Sequence, residues 1–309
     1  MERPKHSDYL ARNEGETDIV RQRSSRKNPT GCGGLSLMPT HPYSPQEMFR
    51  TFWTHRGLLL ALIKREVVGR YQGSILGLLW SFFNPILMLS VYTFVFSVVF
   101  KARWHGGGDS KAEFALVLFS GLLVFNLFAE CLNRAPSLII SNANYVKKVI
   151  FPLEILPFVS LGAALFHATV GFIIWLIFYT FLITHPPASI LLAPIMLLPI
   201  LLISLGAGWL LASLGVFFRD VSQITGIFTT ALLFMSPVFY PVTSLPEEYQ
   251  KILYYNPMTL SIELIRNTMI EGITPNWSTF LEYLLGSFIF SALSFAWFQK
   301  TRKGFADVL

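Results

Sequence analysis

Six long apolar runs, held apart by short polar joints, limit what this chain can fold into more than any other feature. They cover residues 75–100, 114–132, 153–183, 190–218, 224–242 and 280–298. A helix rises about 1.5 Å per residue and the hydrocarbon core of a bilayer is about 30 Å thick, so about 20 apolar residues suffice to cross it. Hydrophobic residues make up 53% of the 309 positions and charged ones only 14%, where a soluble domain carries about 25% charge. The expected fold is an all-α polytopic membrane protein with six transmembrane helices. It divides into a disordered basic leader (1–43), an interfacial amphipathic helix (44–72) and a membrane domain (73–309).

The net charge of +6 is read through topology rather than as a sign of nucleic acid. With a cytoplasmic N-terminus, six crossings return the C-terminus to the same side. The cytoplasmic joints then hold Arg134, Lys147, Lys148 and Arg219, and the tail adds Lys300, Arg302 and Lys303. The outer joints hold Lys101, Arg103, Lys111, Lys251 and Arg266, offset by Asp109, Glu113, Glu247, Glu248, Glu263 and Glu271. Basic residues favour the cytoplasmic side of a span, so both termini are placed inside. The three bases of the first outer loop run against this. Cys32 and Cys131 have no Cys/His cluster beside them, so neither a disulfide framework nor a metal site is expected.

The leader lacks apolar periodicity and an apolar h-region, so it is expected to be disordered and not a cleavable signal. Its cluster of Arg21, Arg23, Arg26 and Lys27 reads as a solvated tail or as a contact to anionic lipid. Ser44-Pro45-Gln46-Glu47 spells a capping box with proline at the first helical position. The helix that follows gathers Phe49, Phe52, Trp53, Leu60, Ile63 and Val67 near one face, with Arg50, Arg56, Lys64, Arg65 and Arg70 mostly elsewhere. It should lie in the membrane surface, bent at Gly57. Asn84-Pro85 should kink the first span, and Pro194 and Pro199 the fourth. Between the fifth and sixth spans, a second capping box at Ser244-Leu-Pro-Glu247 and a helix start at Asn256-Pro257 predict two short amphipathic helices. The second puts Leu260, Leu264, Ile265 and Met269 on one face, leaves Glu263, Arg266 and Asn267 off it, and stops at Gly272.

No phosphate-binding loop, nucleophile elbow or metalloprotease pair occurs, and no catalytic residue is assigned. His167 is the only histidine deep in a span; without an evident acid nearby it reads as a hydrogen-bonded packing residue rather than a functional site. Glu130, Glu154, Arg219 and Asp220 sit at the cytoplasmic ends of spans, and an ion-coupled transporter would keep acids nearer the midplane. Energy must then come from a separate subunit, since this chain shows no ATP-binding motif. The longest inside joint, 133–150, suits either a brief docking helix or a plain basic loop.

Several stretches resemble one family in order along the chain. They are RYQGSILGLLW from Arg70 to Trp80 with Asn84-Pro85, NANYVKKVIFPLE from Asn142 to Glu154, GVFFRD from Gly215 to Asp220, SPVFYP from Ser236 to Pro241, Tyr255-Asn-Pro257, and KGFAD from Lys303 to Asp307. Together they resemble the permease of O-antigen and capsular polysaccharide export, a type-2 ATP-binding-cassette exporter, over about residues 48–309. The resemblance implies an inner-membrane homodimer with two copies of a cytoplasmic ATPase, which alone would bind ATP and magnesium. It implies that Asn142, Asn144, Tyr145, Val146, Lys147 and Lys148 form the ATPase-coupling helix. It implies a periplasmic gate carrying Glu247, Tyr255, Asn256, Glu263 and Arg266, and a substrate polysaccharide on undecaprenyl pyrophosphate. Arg65 and Arg70 are candidate contacts to the pyrophosphate headgroup, or simple topology anchors. Such permeases begin near the amphipathic helix, so the leader is expected to be partly a start-codon artefact, with Met38 as the true start; an intact mass that includes residues 1–37 would overturn this. A drug or small-lipid permease, and more distantly a membrane enzyme acting on polyprenyl-linked sugars, are the alternatives.

Overall fold

The computed structural model describes residues 45–99, 111–146, 151–183 and 185–309. The leader, the Ser44 cap, the first outer loop with Lys101 and Arg103, and the lysines Lys147 and Lys148 lie outside the described residues. Every described element is helical: α1 Pro45–Thr54, α2 Arg56–Tyr71, α3 Trp80–Thr93, α4 Lys111–Arg134, α5 Ala143–Val146, α6 Leu156–Leu182, α7 Ala193–Met196, α8 Leu198–Phe217, α9 Val221–Met235, α10 Glu247–Leu253, α11 Pro257–Arg266, α12 Trp277–Thr301 and α13 Phe305–Val308.

Among the described residues, four helical stretches are long and apolar enough to cross a membrane: Ala112–Ser137, Leu153–Leu182, Ala188–Phe217 and Trp277–Val308. The runs at 75–100 and 224–242 give the shorter apolar helices Gly77–Thr93 and Val221–Met235. The first continues directly into π-helical turns, Phe94–Val99. The second stops before Ser236-Pro237, because proline offers no backbone donor. Pro85 stays inside α3, and Pro194 and Pro199 each open a new helix after a break.

Helix α4 is the axis of the bundle. Within its most apolar window 83% of residues are buried, against 28–44% for the other three. A helix apolar all round belongs in the interior, whereas the exposed apolar faces of its neighbours suit lipid. Leu118, Phe119, Leu122 and Phe125 of α4 pack with Trp175, Met196, Ile200, Met258 and Ile262 in the main core. A second core gathers Met48, Ile139, Leu156, Trp209, Phe298 and Phe305. Met48 of α1 meets Ser291 midway along α12, while Phe305 of α13 packs on Phe298 and Phe217 at the C-terminal end of that helix, here called the terminal end.

Small residues set the closest approaches, as in membrane helix pairs generally. A Cβ at Gly206 would lie 3.0 Å from Ser291 Cα of α12, and one at Gly215 would lie 2.2 Å from the carbonyl oxygen of Pro136. The buried tryptophans each find an acceptor: Trp175 Nε1 donates to Leu116 O at 3.0 Å and Trp209 Nε1 to Glu154 O at 3.1 Å.

Two expectations fail locally. The amphipathic segment breaks at His55 between α1 and α2, not at Gly57, which lies inside α2. The capping box at Ser244 does not form: its hydroxyl donates back to Pro241 O at 2.8 Å, and Pro246 occupies the cap position of α10 without a side-chain bond.

Candidate functional site

Helix α2 carries three polar ties within six residues. Arg65 Nη1 donates to the Tyr145 hydroxyl at 3.0 Å, Glu66 pairs with Arg134, and Arg70 Nη2 pairs with Glu130 Oε1 at 2.7 Å. The helix therefore joins the short helix α5 to the middle of the bundle. In the segment around α5, the Asn142 amide donates to Leu138 O at 2.9 Å and the Tyr145 ring stacks on Phe151 at 4.2 Å between centroids. Tyr145 thus fixes the segment to its own chain, and among the described residues Ile140, Ser141 and Asn144 are exposed.

His167 is hydrogen-bonded, as expected, but an acid does lie beside it, which corrects the premise that none is near. Its Nδ1 lies 3.0 and 3.1 Å from the two Glu130 carboxylate oxygens and 3.1 Å from Arg70 Nη1, while its Nε2 lies 3.1 Å from the Tyr71 hydroxyl. With Nδ1–H donating to Glu130 and the Tyr71 hydroxyl donating to Nε2, the Arg70 guanidinium bonds the Glu130 carboxylate rather than the ring nitrogen beside it. Burial holds the Tyr71 pKa above its ordinary value, so it stays a donor. Arg70 and His167 turn to the same carboxylate. The signal missed in the sequence is a polar face on α4, where Asn126, Glu130 and Asn133 recur at helical spacing.

At the far end, Asn256 caps α11 by accepting from Met258 N at 2.9 Å, and its amide donates to Ser236 Oγ at 3.0 Å. The helix runs into a π-helical turn, Asn267–Glu271, and stops at Gly272 with φ +70°, as the sequence predicts. Met258, Ile262 and Ile265 are buried. Arg266 does not lie off this face in solvent; it is 5% exposed and correctly placed inside. It donates to Val117 O at 3.3 Å, Pro237 O at 2.5 Å and Val238 O at 2.7 Å. Pro237 and Val238 lie just past the end of α9 at Met235, where the chain is no longer helical, and the guanidinium fork donates to both of their carbonyls. Burial lowers the Arg266 pKa, yet an arginine keeps its charge at neutral pH. Burial raises that of Glu263, opposed by a hydrogen bond from Tyr254 and by the charge of Arg266. Glu247 and Tyr255 are exposed.

Apolar spans around a polar cluster, with a surface helix tied to both, define a membrane-embedded transport domain. The chain belongs to the ABC-2 type transporter family, which it matches over residues 57–270. It is 28% identical over 262 residues to the O-antigen export system permease protein RfbA of Myxococcus xanthus, covering 84% of this chain and 98% of that protein. A Klebsiella pneumoniae O-antigen export system permease protein RfbA is 27% identical, covering 82% and 95%. The Escherichia coli polysialic acid transport protein KpsM is 25% identical, covering 69% and 81%.

Proposed function

We propose that this chain is the membrane-spanning subunit of an ATP-driven exporter. Its cargo is an undecaprenyl-pyrophosphate-linked polysaccharide of O-antigen or capsule type, moved from cytoplasm to periplasm across the bacterial inner membrane. The observation that carries this is the near-complete coverage of relatives named as O-antigen export permeases. Two copies of the chain work with two copies of an ABC ATPase. The exposed Asn144 on α5 supports a docking role for residues 142–148, with Tyr145 as their internal anchor. Six crossings with cytoplasmic termini rest on the six apolar runs and on the basic residues Arg134, Arg219, Lys300, Arg302 and Lys303 of the inner joints and tail. The far-end segment carrying Glu247, Tyr255, Asn256, Glu263 and Arg266 serves as the periplasmic gate.

The test is complementation. Expressed with its cognate ATPase in a strain lacking its own permease, the chain should restore surface polysaccharide; without the ATPase it should restore none and hydrolyse no ATP. Hydrolysis by the isolated chain, or no restoration with the ATPase present, would overturn the reading. Topology has its own check. A cysteine in place of exposed Glu248 should react with an impermeant thiol reagent added from the periplasmic side. Labelling only after the inner face is opened would reverse the orientation.

A further inference from the structure

The polar face of α4 is only partly used by the protein. Glu130 is taken by Arg70 and His167, and Asn133 accepts from the Thr229 hydroxyl at 3.2 Å. Asn126, one turn further into the span, is exposed and makes no hydrogen bond among the described residues. The same holds for Asn84 on α3. Both amides line one cavity of about 300 Å³ that also reaches Arg70, Tyr92, Glu130 and His167. An amide left unpaired in hydrocarbon costs several kcal/mol, so acyl chains are a poor cover for this wall. Its charges cancel locally, because Arg70 is paired with Glu130 at 2.7 Å. What remains is neutral: two amides and a phenol set among apolar side chains such as Met88, Phe119 and Leu122, a mixed wall that offers both hydrogen-bonding groups and a face for ring C–H. That chemistry suits hydroxyl groups, which donate and accept, rather than an anion. The volume is at the small end for ligand pockets, matching a single ring rather than a chain.

We propose that the wall bearing Asn84 and Asn126 lines the translocation path and binds one uncharged sugar residue of the passing glycan at a time. This rests on the export reading above.

The test uses the full chain assembled with its ATPase in native membranes, with Cys32→Ser and Cys131→Ala as background. Asn84→Cys and Asn126→Cys should each be modified by a charged, water-soluble methanethiosulfonate. Ile173→Cys and Leu285→Cys, at exposed apolar positions of α6 and α12, should not. Modification at 84 and 126 should slow severalfold in cells that make the polysaccharide compared with cells blocked in its synthesis. Failure of both cysteines to react would overturn the proposal, whether lipid or protein covers them. Equal rates with and without polysaccharide would also overturn it, leaving a wet wall that binds no sugar. If the chain complements export while protection fails, only this inference falls. If complementation itself fails while the cysteines react, it is the export reading that falls.

Discussion

Arg266→Ala is expected to destabilise the far end of the bundle by about 3–5 kcal/mol, the range for breaking a buried, hydrogen-bonded charge network. The carbonyls of Val117, Pro237 and Val238 would lose the donor that now reaches them from α11. Limited proteolysis of the detergent-purified protein should cut first between α9 and α12, and thermal unfolding should begin earlier than in the parent. Arg266→Lys should recover little, because an ammonium is a point charge and cannot span three carbonyls as the planar fork does. An Arg266→Ala protein with unchanged melting and unchanged cleavage would mean that the outer segment is held by its apolar contacts alone.

Gly215→Val is expected to be nearly as damaging, through a different cause. The new Cβ would lie 2.2 Å from the Pro136 carbonyl oxygen, which is backbone and cannot rotate aside. Overpacking a tight site costs about 1–3 kcal/mol even where side chains give way. The turn at Ala135–Ser137 sits directly before the segment carrying Asn142 and Tyr145, so the strain falls on the proposed ATPase contact. The expected result is normal membrane insertion with loss of ATPase co-purification. Full recovery of the complex would show that the turn can shift without moving that segment.

The spans were legible because hydropathy is a local property: the runs at 114–132 and 280–298 reappear as α4 and α12 with little change. The Asn256-Pro257 start and the Gly272 stop were legible for the same reason, since a cap or a left-handed stop is decided by a few adjacent residues. The site was much less legible. His167 finds its acid 37 residues away in sequence, on another helix, and no spacing rule connects them. Glu130 looked like an end-of-span charge because its partners were invisible. The burial of Arg266 was not legible because its acceptor at Pro237 lies 29 residues earlier. Ser244 failed for the opposite reason, as a nearer carbonyl at Pro241 claimed its hydroxyl first.

The Arg266 contacts described above, and an ion pair between Arg302 and Glu154, are closed by residues from the last third of the chain. Arg266 reaches back 149 residues to Val117, and Arg302 reaches back 148 residues to Glu154. While the protein is being made, α4 and α6 must therefore enter the membrane before either arginine exists. Until then, the carbonyls of Pro237 and Val238 lack the Arg266 donor and Glu154 stands without its counter-charge. Assembly is thus finished from the C-terminal side, and a nascent chain stopped short of α11 is an incomplete object that quality-control proteases can tell from the finished one.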